Sequence, residues 1–116
     1  MRLRDIVEEL GLEVVTGSER LENEVVRGYA SDLMSDVLAN SQKGDLWVTL
    51  QIHLNIVAVA SMKELAGIVL INGRRPEEET EERARQENIP ILVSRQPAFE
   101  LIGRLYRFGV SGMSNA

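Results

Sequence analysis

The chain has 116 residues, a formal net charge of −5, 44% hydrophobic but only 4% aromatic residues, one histidine and no cysteine. One domain is the default at this length, and the missing cysteines exclude disulfides, thiolate nucleophiles and thiolate metal sites. The acidic balance opposes attraction to nucleic-acid phosphates and anionic membranes, and the scarcity of aromatic rings removes platforms for stacking bases.

Leu3, Ile6, Val7 and Leu10 recur at i, i+3, i+4 and i+7, and Gly11 follows. This is the pattern of a short amphipathic helix with a glycine stop. Residues 12–15 read as a strand ended by Thr16-Gly17-Ser18, and residues 24–29 as a second strand after a polar turn. The two could pair with each other or join a larger sheet separately. Ser31 or Asp32 is placed to cap a helix bearing Leu33, Met34, Val37 and Leu38, which ends near Asn40.

Residues 45–75 read as one unit: a strand from Asp45, a polar crossing at Gln51-Ile-His53-Leu-Asn55, a buried-looking segment, and a strand Gly67-Ile-Val-Leu-Ile running into Asn72-Gly-Arg74-Arg75. Residues 54–65 mix β-branched Ile56, Val57 and Val59 with good helix formers. Two parallel strands need a crossover between them, so the segment is assigned to a helix. Pro76 stands as a first-turn proline for a helix through Glu87, acidic early and basic late as the dipole favours. Glu79 with Arg83 and Glu81 with Arg85 are spaced i, i+4, while Thr80 and Ala84 are its inward-facing residues.

Residues 89–93 form the last strand, and Pro97 opens a helix with Ala98, Phe99, Leu101, Ile102, Leu105, Tyr106 and Phe108 on one apolar face, closed by Gly109. That face is wider than one sheet contact requires, so apolar surface left on it or on residues 54–65 is expected to meet a second copy in a homodimer. The predicted fold is therefore α/β, a single domain over residues 1–110 with a mainly parallel sheet flanked by helices. Residues 111–116 are expected to be a loose tail. No apolar run approaches the ~18 residues of a membrane span or forms a signal-peptide core, so a cytoplasmic protein is expected.

Loops that follow successive parallel strands share one edge of the sheet, which gathers Asp32, then Gln51, His53 and Asn55, then Asn72, Arg74 and Arg75, then Ser94 and Arg95. Three arginines in that set point to an anionic metabolite such as a nucleotide or phosphorylated compound. A capping role competes for Asp32, a turn role for His53, Asn55 and Asn72, and simple solvation for Arg74 and Arg75. No phosphate-binding G-x-x-x-x-G-K-[ST] loop and no G-x-G-x-x-G fingerprint is present, and His53 has no serine or cysteine nucleophile near it in sequence. No catalytic residue, no cofactor and no metal ligand is therefore assigned; the reading is non-enzymatic.

The run from Gly67 through Asn72-Gly73-Arg74-Arg75 to Pro76, with Ile89-Pro-Ile-Leu-Val-Ser94, resembles the second half of a DRTGG domain, and the likeness extends over about residues 3–108. Gln51-Ile-His53-Leu-Asn55 stands where that family carries its aspartate-arginine-threonine element, and Asn72-Gly73 where it carries the glycine pair. Such domains accompany phosphotransacetylases and CBS-domain pyrophosphatases and are similar to the N-terminal domain of HPr kinase/phosphorylase. The resemblance implies a non-catalytic regulatory or ligand-sensing module. Small stand-alone relatives encoded beside iron-only hydrogenase and electron-transfer subunits imply an alternative, an accessory docking protein for such a complex.

Overall fold

Strands 3 to 5 are apolar at successive positions, and a strand of that kind needs cover on both faces. The computed structural model describes residues 1–113 and supplies that cover. Its elements are α1 (Leu3–Leu10), β1 (Glu13–Thr16), a 3-10 turn (Ser18–Arg20), β2 (Arg27–Ala30), α2 (Met34–Asn40), β3 (Asp45–Thr49), α3 (Asn55–Met62), β4 (Gly67–Leu70), α4 (Glu78–Glu87), β5 (Ile91–Val93) and α5 (Ala98–Phe108). They build one five-stranded sheet in the order β1-β5-β4-β3-β2. Strands β2 to β5 are parallel, and β1 joins β5 antiparallel. Strands β1 and β2, which the sequence left free to pair, lie at opposite edges.

Side chains alternate across the sheet and sort the core into two layers. Trp47, Ile68, Leu70, Ile91 and Val93 face α2, α3 and α4 and pack with Val37, Ile56, Val57, Ala60 and Ala84. Leu46, Val48, Val69, Ile71 and Leu92 face α1 and α5 and pack with Leu3, Ile6, Leu10, Leu101 and Leu105. The α3 segment is thus helical, as the crossover argument requires: its β-branched residues are tolerated because tertiary burial outweighs local propensity. The fold is α/β, with a mixed, mostly parallel sheet between two layers of helices.

Several local expectations change. Helix α2 begins beyond Ser31 and Asp32 and neither caps it. Asp32 accepts from Thr49 Oγ1 and the Leu50 amide, both at 2.8 Å, and so joins the ends of β2 and β3. Ser31 Oγ accepts from the Leu33 amide in a turn ahead of the helix. Pro76 precedes the first turn of α4, because Glu77 keeps an extended backbone and donates its amide to Ile52 O at 3.2 Å. Arg85 pairs with Glu81 as its spacing predicts, whereas Arg83 pairs with Glu87 rather than Glu79.

Asp45, which opens β3 ahead of the apolar run Leu46-Trp47-Val48, is a fully buried carboxylate. Arg27 reaches it from β2 through Nε at 2.8 Å and Nη2 at 3.1 Å, and the Gln42 amide donates to it at 2.7 Å. The bonds to Asp45 raise the Arg27 guanidinium above its ordinary pKa against the effect of desolvation. At the other end of β2, hydroxyl and amide donors from Ser31, Asn40 and Tyr29 hold the Asp36 carboxyl below its ordinary range, while burial and Asp36 itself raise the Tyr29 phenol.

The chain after α5 runs along the outer edge of β2. The Gly28 amide donates to Ser111 O at 2.9 Å, and the Gly112 amide donates to the Tyr106 hydroxyl at 2.9 Å. The first residues of the expected tail are therefore held, and residues 114–116 lie outside the described part of the chain.

Candidate functional site

Strands β2, β3, β4 and β5 are spatial neighbours in the order of the sequence, and the helices that join them all lie on one face. The loops along that stretch of the carboxyl edge follow one another without a gap. After β5 the chain changes sides, because α5 packs with α1 on the opposite face. Between the ends of β4 and β5 one connection therefore departs toward α4 and the next toward α5. An open crevice belongs where neighbouring connections part in this way.

A cleft of about 580 Å³ opens there, lined by Leu10, Gly11, Leu12 and Glu13 on one side and by Gly73, Arg75, Val93, Ser94, Arg95, Gln96 and Arg104 on the other. The turn after β4 places Asn72 and Gly73 in the left-handed region, with φ of 57° and 67°. Asparagine and glycine tolerate that conformation better than other residues. The Asn72 amide donates to Gln96 O at 3.0 Å and the Gly73 amide to Ser94 O at 2.8 Å, which fixes the two loops to each other. Ser94 is buried and its Oγ accepts from the Gln96 amide at 3.1 Å, a local turn that leaves Arg95 exposed.

Three guanidinium groups line this cleft against one carboxylate. Arg75 Nη1 donates to both Glu13 oxygens, at 2.9 and 2.8 Å. Arg104 comes from α5 and makes a long contact of 3.4 Å with Glu9 O. Arg95 completes the set. The concentration of positive charge stands against a chain whose net charge is −5, so it is a local feature of the site.

Of the residues expected at a shared edge, the structure brings Arg75, Ser94 and Arg95 into this cleft, with Asn72 in the turn beside it. Asp32, Gln51, His53, Asn55 and Arg74 do not line it. Asp32, Gln51, His53 and Arg74 instead hold the neighbouring loops together: Gln51 Nε2 donates to Asp32 O at 2.9 Å, Arg74 Nη1 to Leu50 O at 2.8 Å, and His53 Nδ1 lies 3.1 Å from Glu77 Oε1. Asn55 is exposed at the start of α3. Sequence reasoning missed Arg104 and Glu13. Arg104 sits on the flank of α5 beside Leu105, a helical position that strand-end logic does not reach, and Glu13 enters only through the antiparallel docking of β1.

Among the described residues no cluster of histidine and acidic side chains could hold a metal ion, and no helix is long and apolar enough to cross a membrane.

A family model described as "DRTGG domain" matches residues 5–108. No curated protein matches the chain. Among solved structures, the fold is similar to the CBS and DRTGG domains of the regulatory region of Clostridium perfringens pyrophosphatase, crystallised with its activator diadenosine tetraphosphate, at 16% identity and a TM-score of 0.72. That match covers 98% of the present chain, which spans about half (51%) of the clostridial one. The chain belongs to the DRTGG domain family.

Proposed function

We propose that this DRTGG domain is a non-catalytic regulatory module that senses an anionic metabolite in the cleft between β1, β5 and α5. The observation that carries the reading is the set Arg75, Arg95 and Arg104 around a crevice whose only carboxylate among the described residues is Glu13. Guanidinium groups bind phosphate and carboxylate with directed, charge-assisted hydrogen bonds. The clostridial structure adds support, since a domain of the same fold lies in a region that regulates an enzyme.

The module is proposed to work as a homodimer through α5. Phe99 is 91% exposed, and Tyr106 and Met113 are also open to solvent, an apolar surface that the single chain leaves uncovered. The same surface supports the second reading, an accessory protein that docks on a hydrogenase or another electron-transfer complex. Sedimentation at micromolar concentration separates them: a dimer that Phe99→Glu dissociates supports the first, and a monomer favours the second.

A thermal-shift screen with nucleotides and phosphorylated metabolites tests the sensing role. A ligand present at a hundred times its dissociation constant stabilises by about 2.7 kcal/mol. That shift is expected to shrink in Arg95→Ala and Arg104→Ala while their ligand-free melting stays near that of the parent. An unchanged response in both variants overturns the site.

A further inference from the structure

The make-up of the cleft limits what it can recognise. Among the described residues its lining contains no aromatic ring, and its apolar members, Leu10, Leu12 and Val93, are buried side chains rather than an open platform. A nucleobase entering it would find nothing to stack on, and stacking is the sequence-tolerant way in which proteins hold bases. What the cleft offers is charge, with three guanidiniums, and the loop residues Gly73, Ser94 and Gln96.

Glu13 already holds part of that charge. Its carboxylate accepts both contacts from Arg75 Nη1, in the place an anionic ligand would need. The pair is open to water, with Arg75 55% and Glu13 56% exposed, so the bond is weak enough to exchange. Arg95 and Arg104 make no ion pair among the described residues. An incoming anion thus finds two guanidiniums free of a carboxylate and a third that it must take from Glu13. A phosphate dianion is suited to that exchange: it carries more charge than the carboxylate it replaces and has enough oxygens to meet several donors.

Resting on the sensing role proposed above, we infer that the cleft takes a compact phosphate-bearing ligand, recognised through its dianionic group rather than through a base. Glu13 is the built-in competitor that this group displaces from Arg75. Displacement frees the first residue of β1 from the loop between β4 and α4, and ligand occupancy is thereby communicated to the sheet edge.

Calorimetric titration of the full chain with inorganic phosphate, and separately with adenosine 5′-monophosphate, tests the inference in the parent, Glu13→Gln and Arg95→Ala. Glu13→Gln is nearly isosteric, and circular dichroism verifies its fold. The expected result is that Glu13→Gln tightens phosphate binding by about threefold to fivefold, the range that an exposed ion pair supports. Arg95→Ala is expected to weaken it, and the adenosine group to change affinity by less than about twofold. Phosphate binding that Arg95→Ala weakens but Glu13→Gln leaves unchanged overturns the competitor and leaves the sensing role standing. A monophosphate that binds more than about tenfold tighter than phosphate overturns the exclusion of a base. Absence of phosphate binding in the parent and in Glu13→Gln alike removes the anion site itself.

Discussion

Two arginine–carboxylate pairs, at opposite ends of the same sheet, show how far burial decides what an ion pair is for. At the amino end, Arg27 grips Asp45 with two nitrogens, and the side chains are 12% and 0% exposed. At the carboxyl end, Arg75 meets Glu13 at a similar distance with more than half of each side chain in water. The first pair has no solvent to fall back on, so each partner is indispensable to the other. The second exchanges a contact with water at little cost, and for that reason it can yield to a ligand.

The sharpest way to break the comparison is to remove one partner at each end. Asp45→Ala strands the Arg27 guanidinium and the Gln42 amide, and a loss of about 3–5 kcal/mol in urea-unfolding stability is expected. A loss below ~1 kcal/mol would place the buried pair in the same class as the exposed one. Replacing both members, Arg27→Met with Asp45→Leu, should cost clearly less than Asp45→Ala alone, because no unpaired charge remains; the same unfolding series checks it. Arg75→Ala or Glu13→Ala is expected to shift stability by no more than about 1 kcal/mol, and a larger loss would mean that the contact is structural. The smallest effect belongs to a third polar cluster, at Asp36. Its folded-state pKa is depressed, so its contribution is present above the unfolded carboxylate value of about 3.9 and is lost as pH falls through the folded value. Asp36→Asn should flatten the acid side of the stability curve slightly and leave the neutral side parallel to the parent's.

The legible part of this chain was the part governed by period and by strand ends. Trp47, Ile68, Leu70 and Leu92 are buried in adjacent parallel strands, as their runs of apolar residues require. Arg75, Ser94 and Arg95 could be named because a strand end puts its following residues at one edge. The position of the opening along that edge was not legible, since it depends on which face each helix takes. That choice separates Arg95 from His53, Asn55 and Arg74. Glu13 and Arg104 were hidden for a related reason: one arrives by antiparallel pairing across most of the chain and the other from the side of a helix. The burial of Asp45 was hidden inside its own apolar run, because its partner Arg27 stands 18 residues earlier in a strand that reads as unremarkable.

The order of the sheet also sets the span of chain that each strand pairing has to close. From β2 to β5 each strand docks on the one just made, with partners such as Arg27 and Asp45 only 18 residues apart. Strand β1 closes a much longer span: Thr16 Oγ1 accepts from the Ile91 amide across 75 residues of chain, and the entropic cost of closure grows with loop length. Native-state amide exchange is accordingly expected to be faster in Glu13–Thr16 than in β3 and β4, and equal protection in the three strands would count against it. Leu12 and Glu13 form part of one wall of the arginine cleft, so any opening of β1 would open the cleft with it.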